Sequence, residues 1–307
     1  MLLDHLSNHS CIYGFQVETK SLPYFITHER EYGDLESEEN LRRLWRDMKE
    51  SISERTNLVS EALPLPSDGI RSAAGCFDHI MRHLAASQGK RIWCEKTPMH
   101  VHHMNLLASA FPEARFIHII RDGRDCAASF HRRWRFNPIR TISRWKKAVR
   151  AGTRDGQLLG ARHMEVRYEA VTEAPDAAFR DLLEFLNLPF EPAVLRSARS
   201  RPDAAASQEG EVKRNVRRAE NYFDPAVVGK LEAVAGRLLT DLGYACRDES
   251  GDRDPPAWQM RWWQFTDDIR RFAAVAMRRG RILRPSKWRY IASRTRNALK
   301  QRATSKP

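Results

Sequence analysis

The sequence predicts an α/β protein built on a parallel sheet with helices on both faces, and three apolar runs carry that prediction. RIWCEK (91–96), ARFIHII (114–120) and RHMEVRY (162–168) are short, rich in β-branched and aromatic residues, and end abruptly. Each is followed by a stretch with helical spacing rather than a tight turn. Strands that alternate with helices pair in parallel and are buried on both sides.

The elements follow in chain order. Residues 37–61 and 68–88 are rich in helix formers, with Pro64 and Pro66 breaking the chain between them. RIWCEK is stopped by Thr97-Pro98, and MHVHHMNLLASAF (99–111) then has helical spacing up to Pro112. ARFIHII is the clearest strand and DGRDCAASFHRRW (122–134) its helix, with Asp122 and Asp125 placed to cap that helix and meet its positive end. A further helix covers 137–157, RHMEVRY is the third strand, and PDAAFRDLLEFLN (175–187) is an amphipathic helix after it. Pro225 to Leu242 reads as a helix stopped by Gly243.

Composition narrows the class. The chain is 42% apolar and 30% charged, and no apolar run approaches the ~18 residues of a membrane span. Asp4 and His5 come early and no basic stretch precedes them, so no signal peptide is expected. Five cysteines, scattered and without a CxxC, fit reduced thiols rather than a disulfide framework or a zinc cluster, and predict a cytoplasmic protein. The net charge is +13, but residues 251–307 hold 15 Lys/Arg against 4 Asp/Glu, which leaves residues 1–250 nearly neutral. Two parts are therefore expected: a domain over 1–250 and, after a linker at Asp252 to Pro256, a basic Trp/Arg-rich helical extension over 251–307. Three readings of the extension stay open: packing on the domain, peripheral contact with an anionic membrane, and nucleic acid. No recognised nucleic-acid motif accompanies it, so no nucleic-acid partner is expected.

In parallel sheets ligands bind beyond the C-terminal ends of the strands. Lys96, Arg121 and Arg167 or Tyr168 stand just past three such ends, and that convergence points to an anion site. Ser129 lies about two helical turns beyond Arg121, and the two side chains can meet on one phosphate near the helix start. The competing reading pairs Arg121 with Asp122 or Asp125 and leaves Ser129 as packing. His79 with His83, and His100 with His103, have the spacing of metal ligands but no obvious acidic or cysteine partner, so no metal site is expected.

A strand followed by Arg-Asp-Gly-Arg, with Ser129 eight residues after Arg121, resembles the 3′-phosphate-binding segment of PAPS-dependent sulfotransferases. Other stretches are similar in the same order: HSCIYGFQVETKSLPYF (9–25), WCEKTPMHV (93–101), VRYEAV (166–171), FLNLPFEP (185–192) and LLTDLGY (238–244). The second of these looks like tyrosylprotein sulfotransferases and their bacterial relatives, and the whole match spans roughly residues 1–245. The resemblance implies that Arg121 and Ser129 hold the 3′-phosphate and that Tyr168 lies near the nucleotide, with Glu169 structural. Lys96 would neutralise the bridging oxygen as the bond to 3′,5′-ADP breaks. Glu18 would act as general base, and Lys20 would contact the acceptor, a hydroxyl on a saccharide, lipid or protein tyrosine. No metal is implied. Ser207 and Lys213 align loosely with a nucleotide-contacting loop.

The same resemblance implies a P-loop-like sheet whose first, central strand leads into a Gly-rich loop for the 5′-phosphosulfate, and neither is in this sequence. MLLDHLSNHS looks like the helix that follows that loop. Two readings are open: a longer natural chain, or a catalytically impaired relative that binds a nucleotide, a membrane or a partner. Either way, little transferase activity is expected from these 307 residues alone. The GxxxxGK[ST] signature of P-loop kinases is absent.

Overall fold

The computed structural model describes residues 1–53, 56, 63–66, 69–196 and 218–279. In chain order the regular elements are α1 (Leu2–Leu6), β1 (Ile12–Phe15), α2 (Leu22–Thr27), α3 (Glu38–Ser53), α4 (Ala73–Ala86), β2 (Ile92–Glu95), α5 (Met104–Ala110) and β3 (Phe116–Ile120). They continue with α6 (Gly123–Trp134), α7 (Pro138–Leu159), β4 (His163–Arg167), α8 (Tyr168–Glu173), α9 (Pro175–Phe185), α10 (Arg218–Tyr222), α11 (Pro225–Asp241) and α12 (Ala257–Arg279). The three expected strands are present within two residues of their predicted bounds. The expected helix at 99–111 divides into a 3-10 turn, Pro98–His103, and α5. The parts of the 37–61 and 68–88 helices near 54–68, and the positions of Ser207 and Lys213, fall largely or wholly outside the described residues.

The chain forms two compact units, one of residues 1–122 and 145–218, the other of 123–144 and 219–307. This division interleaves along the chain.

All four strands lie in the first unit. β1 pairs with β2 and β3 with β4, both in parallel, as two separate two-stranded sheets. The strands are thus parallel as expected but form two pairs rather than one sheet. Side chains alternate across the two pairs. Tyr13, Phe15, Trp93 and Phe116 join a cluster with Leu44, Met48, Phe77 and Ile80 of α3 and α4. Ile12, Ile92, Cys94, Ile117, Met164 and Val166 join a second cluster with Phe179, Leu182 and Leu183 of α9. Helices therefore cover both faces, which is why the strands carry continuous apolar runs.

β1 was not evident in the sequence. It has four residues, all buried, and Gly14 interrupts it. The glycine is required by close approach: a Cβ there would lie 1.8 Å from the Ser7 Oγ at the end of α1. α4 starts at Ser72, whose hydroxyl accepts the Gly75 amide at 3.0 Å as an N-cap. α11 ends before Gly243, which sits at φ +78.

The second unit is tied together by buried polar contacts. Arg124 donates to Glu232 at 2.7 Å with both side chains buried, and the buried Asp125 carboxylate accepts the Ala219 amide at 2.9 Å. Asp267 of α12 is fully buried and accepts from the Asn137 amide at 3.0 Å and from Arg140 at 2.9 Å. No described helix is long and apolar enough to cross a membrane.

Candidate active site

Two groups of predicted residues come together, each at the C-terminal end of one strand pair. Beyond β1 and β2, Glu18 sits between two lysines: Lys96 Nζ is 3.2 Å from Oε1 and Lys20 Nζ is 3.0 Å from Oε2. All three are partly exposed. Burial alone would push the Glu18 carboxyl up, but the Lys20 hydrogen bond and the charges of Lys96 and Lys20 outweigh it and hold the carboxyl below its ordinary value. Glu18 is therefore ionised at neutral pH.

Glu95, which sequence reasoning passed over, builds the floor of this group. Its buried Oε1 accepts the Thr19 amide at 3.0 Å, the Thr19 hydroxyl at 2.8 Å and the Thr97 hydroxyl. Its Oε2 is 3.2 Å from His100 Nδ1. Burial raises the Glu95 carboxyl, and the His100, Thr97 and Thr19 contacts together bring it below its ordinary value. Because Thr19 follows Glu18 and Thr97 follows Lys96, one carboxylate fixes the backbone on both sides of the pair. The signal was present, a glutamate closing the otherwise apolar IWCE run. The same contact corrects the expectation that His100 has no acidic neighbour. The 3-10 turn after β2 folds His100 back onto Glu95, five residues earlier in the chain.

Beyond β3 and β4, the Arg121 guanidinium lies 4.4 Å from the centre of the Tyr168 ring. The backbone here is clamped twice. Trp145 Nε1 donates to the Arg121 carbonyl at 3.0 Å, and Glu169 accepts the Asp122 amide at 3.0 Å. Nothing in the sequence singles out Trp145 for this contact. Ser129 is half-buried on α6, in the second unit, while Arg121 and Tyr168 belong to the first.

Parallel strands thus deliver a carboxylate between lysines at one pair of ends and a guanidinium beside a tyrosine ring at the other. The chain belongs to the sulfotransferase family: the model described as "Sulfotransferase family" matches residues 2–192. Among curated proteins, "Protein-tyrosine sulfotransferase 1" of Danio rerio is 28% identical over 158 residues, covering 48% of this chain and 43% of that protein. An uncharacterized protein of Aquifex aeolicus is 27% identical over 161 residues, 43% of this chain and 20% of that protein. The chain thus matches less than half the length of these relatives. Among solved structures, the sulfotransferase domain from the curacin biosynthetic pathway aligns with a TM-score of 0.49 at 19% identity, over 80% of this chain and 93% of that one.

Proposed function

We propose that this protein transfers a sulfuryl group from PAPS to a hydroxyl acceptor and releases 3′,5′-ADP. The observation that carries the reading is Glu18 held between Lys20 and Lys96 at the strand ends. In the reaction the acceptor oxygen bonds to sulfur as its proton passes to Glu18. The bond from sulfur to the bridging oxygen breaks, and its electron pair stays on the phosphate. Lys96 neutralises that oxygen, and Lys20 orients the acceptor. Positioning and charge stabilisation dominate such transfers, with a base adding about 10²–10⁴-fold.

A carboxylate bound by two cations is a weak base. Moving Lys96 from Glu18 onto the bridging oxygen both stabilises the leaving group and removes a cation from Glu18, raising its proton affinity when a base is needed. Arg121 and Tyr168 suit the nucleotide, the guanidinium for the 3′-phosphate and the ring for stacking. Ser129 is assigned to the same phosphate on the resemblance alone. The name of the Danio rerio relative makes a tyrosine phenol the first acceptor to try.

Titration calorimetry with 3′,5′-ADP and 5′-AMP tests the reading in the chain as it stands. The 3′-phosphate is expected to tighten binding, and Arg121→Ala to weaken 3′,5′-ADP by about 10–100-fold, the worth of a charge-assisted contact. Ser129→Ala is expected to give a smaller loss. Equal affinity for the two nucleotides overturns the assignment.

A second reading concerns the extension. On α12, Trp258, Trp262, Phe265 and Ile269 are each at least 52% exposed and recur at intervals of four, three and four, which places them on one helical face. We propose that this face lies on an anionic membrane, helped by the basic residues of 251–307. Co-sedimentation of the full chain with phosphatidylserine vesicles is expected to exceed that with phosphatidylcholine and to fall several-fold in a Trp262→Ala, Phe265→Ala variant. Indifference to both the lipid and the substitutions refutes it.

A further inference from the structure

Away from the strand ends, three potential ligands meet on one face of the β3–β4 pair. His118 lies opposite Glu165 in the parallel register, and His163 lies two residues before Glu165, so all three project to the same side. One ligand atom from each lies within 4.8 Å of the others, the one such group of three among the described residues. His118 Nδ1 and Glu165 Oε1 are already 3.2 Å apart. Two ligands on a tetrahedral ion with bonds of about 2.0–2.1 Å are about 3.3 Å apart, so the wider separations close by about 1.5 Å, a side-chain rotation.

The surroundings are shaped for the two imidazoles. α7 passes over them with glycines one turn apart: a Cβ at Gly152 would lie 2.4 Å from His118 Cε1, and one at Gly156 would lie 2.2 Å from His163 Cε1. Two glycines inside a helix cost about 1 kcal/mol each relative to alanine, and here they leave room for rings. Thr153, between them, donates to Glu165 Oε1 at 2.6 Å and orients the carboxylate as an outer-shell group orients a ligand. His163 Nε2 is buried without a hydrogen-bond partner, which is costly for a ring nitrogen and is relieved by coordination. Arg167, at the end of β4, is the nearby cation that acts on His118 of β3.

We propose that His118, His163 and Glu165 bind one divalent transition-metal ion of the Zn²⁺ type, bridging β3 and β4. Two imidazoles and one carboxylate select zinc, cobalt or nickel over magnesium and calcium, which prefer all-oxygen sites. Glu165 is the exposed member, so the fourth position faces solvent and takes water. The pairs suggested by spacing, His79 with His83 and His100 with His103, are not part of it. The site does not depend on sulfuryl transfer or on PAPS.

The test uses the full chain, stripped with a chelator and titrated with Co²⁺ and then Zn²⁺. One equivalent of Co²⁺ is expected to give a ligand-field absorption band without a thiolate charge-transfer band, and Zn²⁺ to displace it and raise the melting temperature. His118→Gln, His163→Gln and Glu165→Gln should each weaken binding by at least tenfold and remove the thermal shift, while His79→Gln and His100→Gln leave both unchanged. Glu165→Gln keeps volume and hydrogen-bonding capacity, and its circular dichroism separates lost binding from lost fold. The proposal is overturned if no ion binds stoichiometrically, if a thiolate band appears, or if folded Glu165→Gln binds as tightly as the parent.

Discussion

Replacing Glu95 with glutamine tests how Glu18 and Lys96 are held. Glu95 is buried, and its Oε1 receives the Thr19 amide, the Thr19 hydroxyl and the Thr97 hydroxyl. A hydrogen bond to a charged acceptor is worth about 1.5–3 kcal/mol and a neutral one about 0.5–1.5. Glutamine keeps the shape and an acceptor but loses the charge, so the Thr19 contact weakens by roughly 1–2 kcal/mol, a factor of about 5–30. Amide hydrogen exchange at Thr19 reads this locally and does not require the whole chain to unfold in one step. Exchange should be about 5–30-fold faster in Glu95→Gln and faster still in Glu95→Ala, which leaves the amide unsatisfied. The pH dependence has a definite sign. The Glu95 carboxyl is held below its ordinary value, so its contribution is complete above the unfolded carboxyl pKa of about 4.3 and is lost as pH falls through the folded value. The parent and Glu95→Gln should therefore converge in acid. Identical Thr19 exchange in the parent and both variants at neutral pH would refute the clamp.

Three other outcomes follow from the same geometry. Gly14→Ala drives a Cβ onto the Ser7 hydroxyl and should destabilise by about 1–3 kcal/mol, with partial rescue by adding Ser7→Ala, as read from thermal melts. Glu232→Ala removes the buried carboxylate that pairs with Arg124 and should cost about 3–5 kcal/mol, whereas replacing both residues with methionine should recover most of the loss; equal loss in both variants would count against an electrostatic cause. If Glu18 is the base, Glu18→Gln lowers transfer by about 10²–10⁴-fold. Because Lys20 and Lys96 depress its carboxyl, the acid limb of the rate profile should lie below the ordinary carboxyl range and move up in Lys20→Ala; an unmoved limb assigns the proton to another group.

What was legible in the sequence was what runs along it. Strands ending in charge mark themselves, because an apolar run of five residues cannot continue through Arg121-Asp122. Helices with caps and stops, such as Pro225–Asp241 before Gly243, do so equally. What stayed hidden depends on pairing. β1 is too short and glycine-broken to show a period, yet it places Glu18 beside Lys96, 78 residues later. Glu95 reads as a helix former until its partners Thr19 and Thr97 are seen on either side of it. His118 and His163 are 45 positions apart, and only the β3–β4 register brings them to one face.

The charged run after β3 shows why a motif needs geometry to become a site. Arg121 and Arg124 stand three residues apart, and sequence alone offers two aspartates as partners for either. In the structure Arg124 is buried in the second unit against Glu232, and Asp125 is occupied by the Ala219 amide. Both contacts are buried polar interactions within the second unit, and losing either is costly. Arg121 instead stands at a strand end in the first unit, stacked on Tyr168, with its own carbonyl fixed by Trp145. A guanidinium is planar, and its N–H edge matches the oxygens of a phosphate. The expectation that Arg124→Ala destabilises while Arg121→Ala changes nucleotide affinity separates the roles proposed for the two arginines.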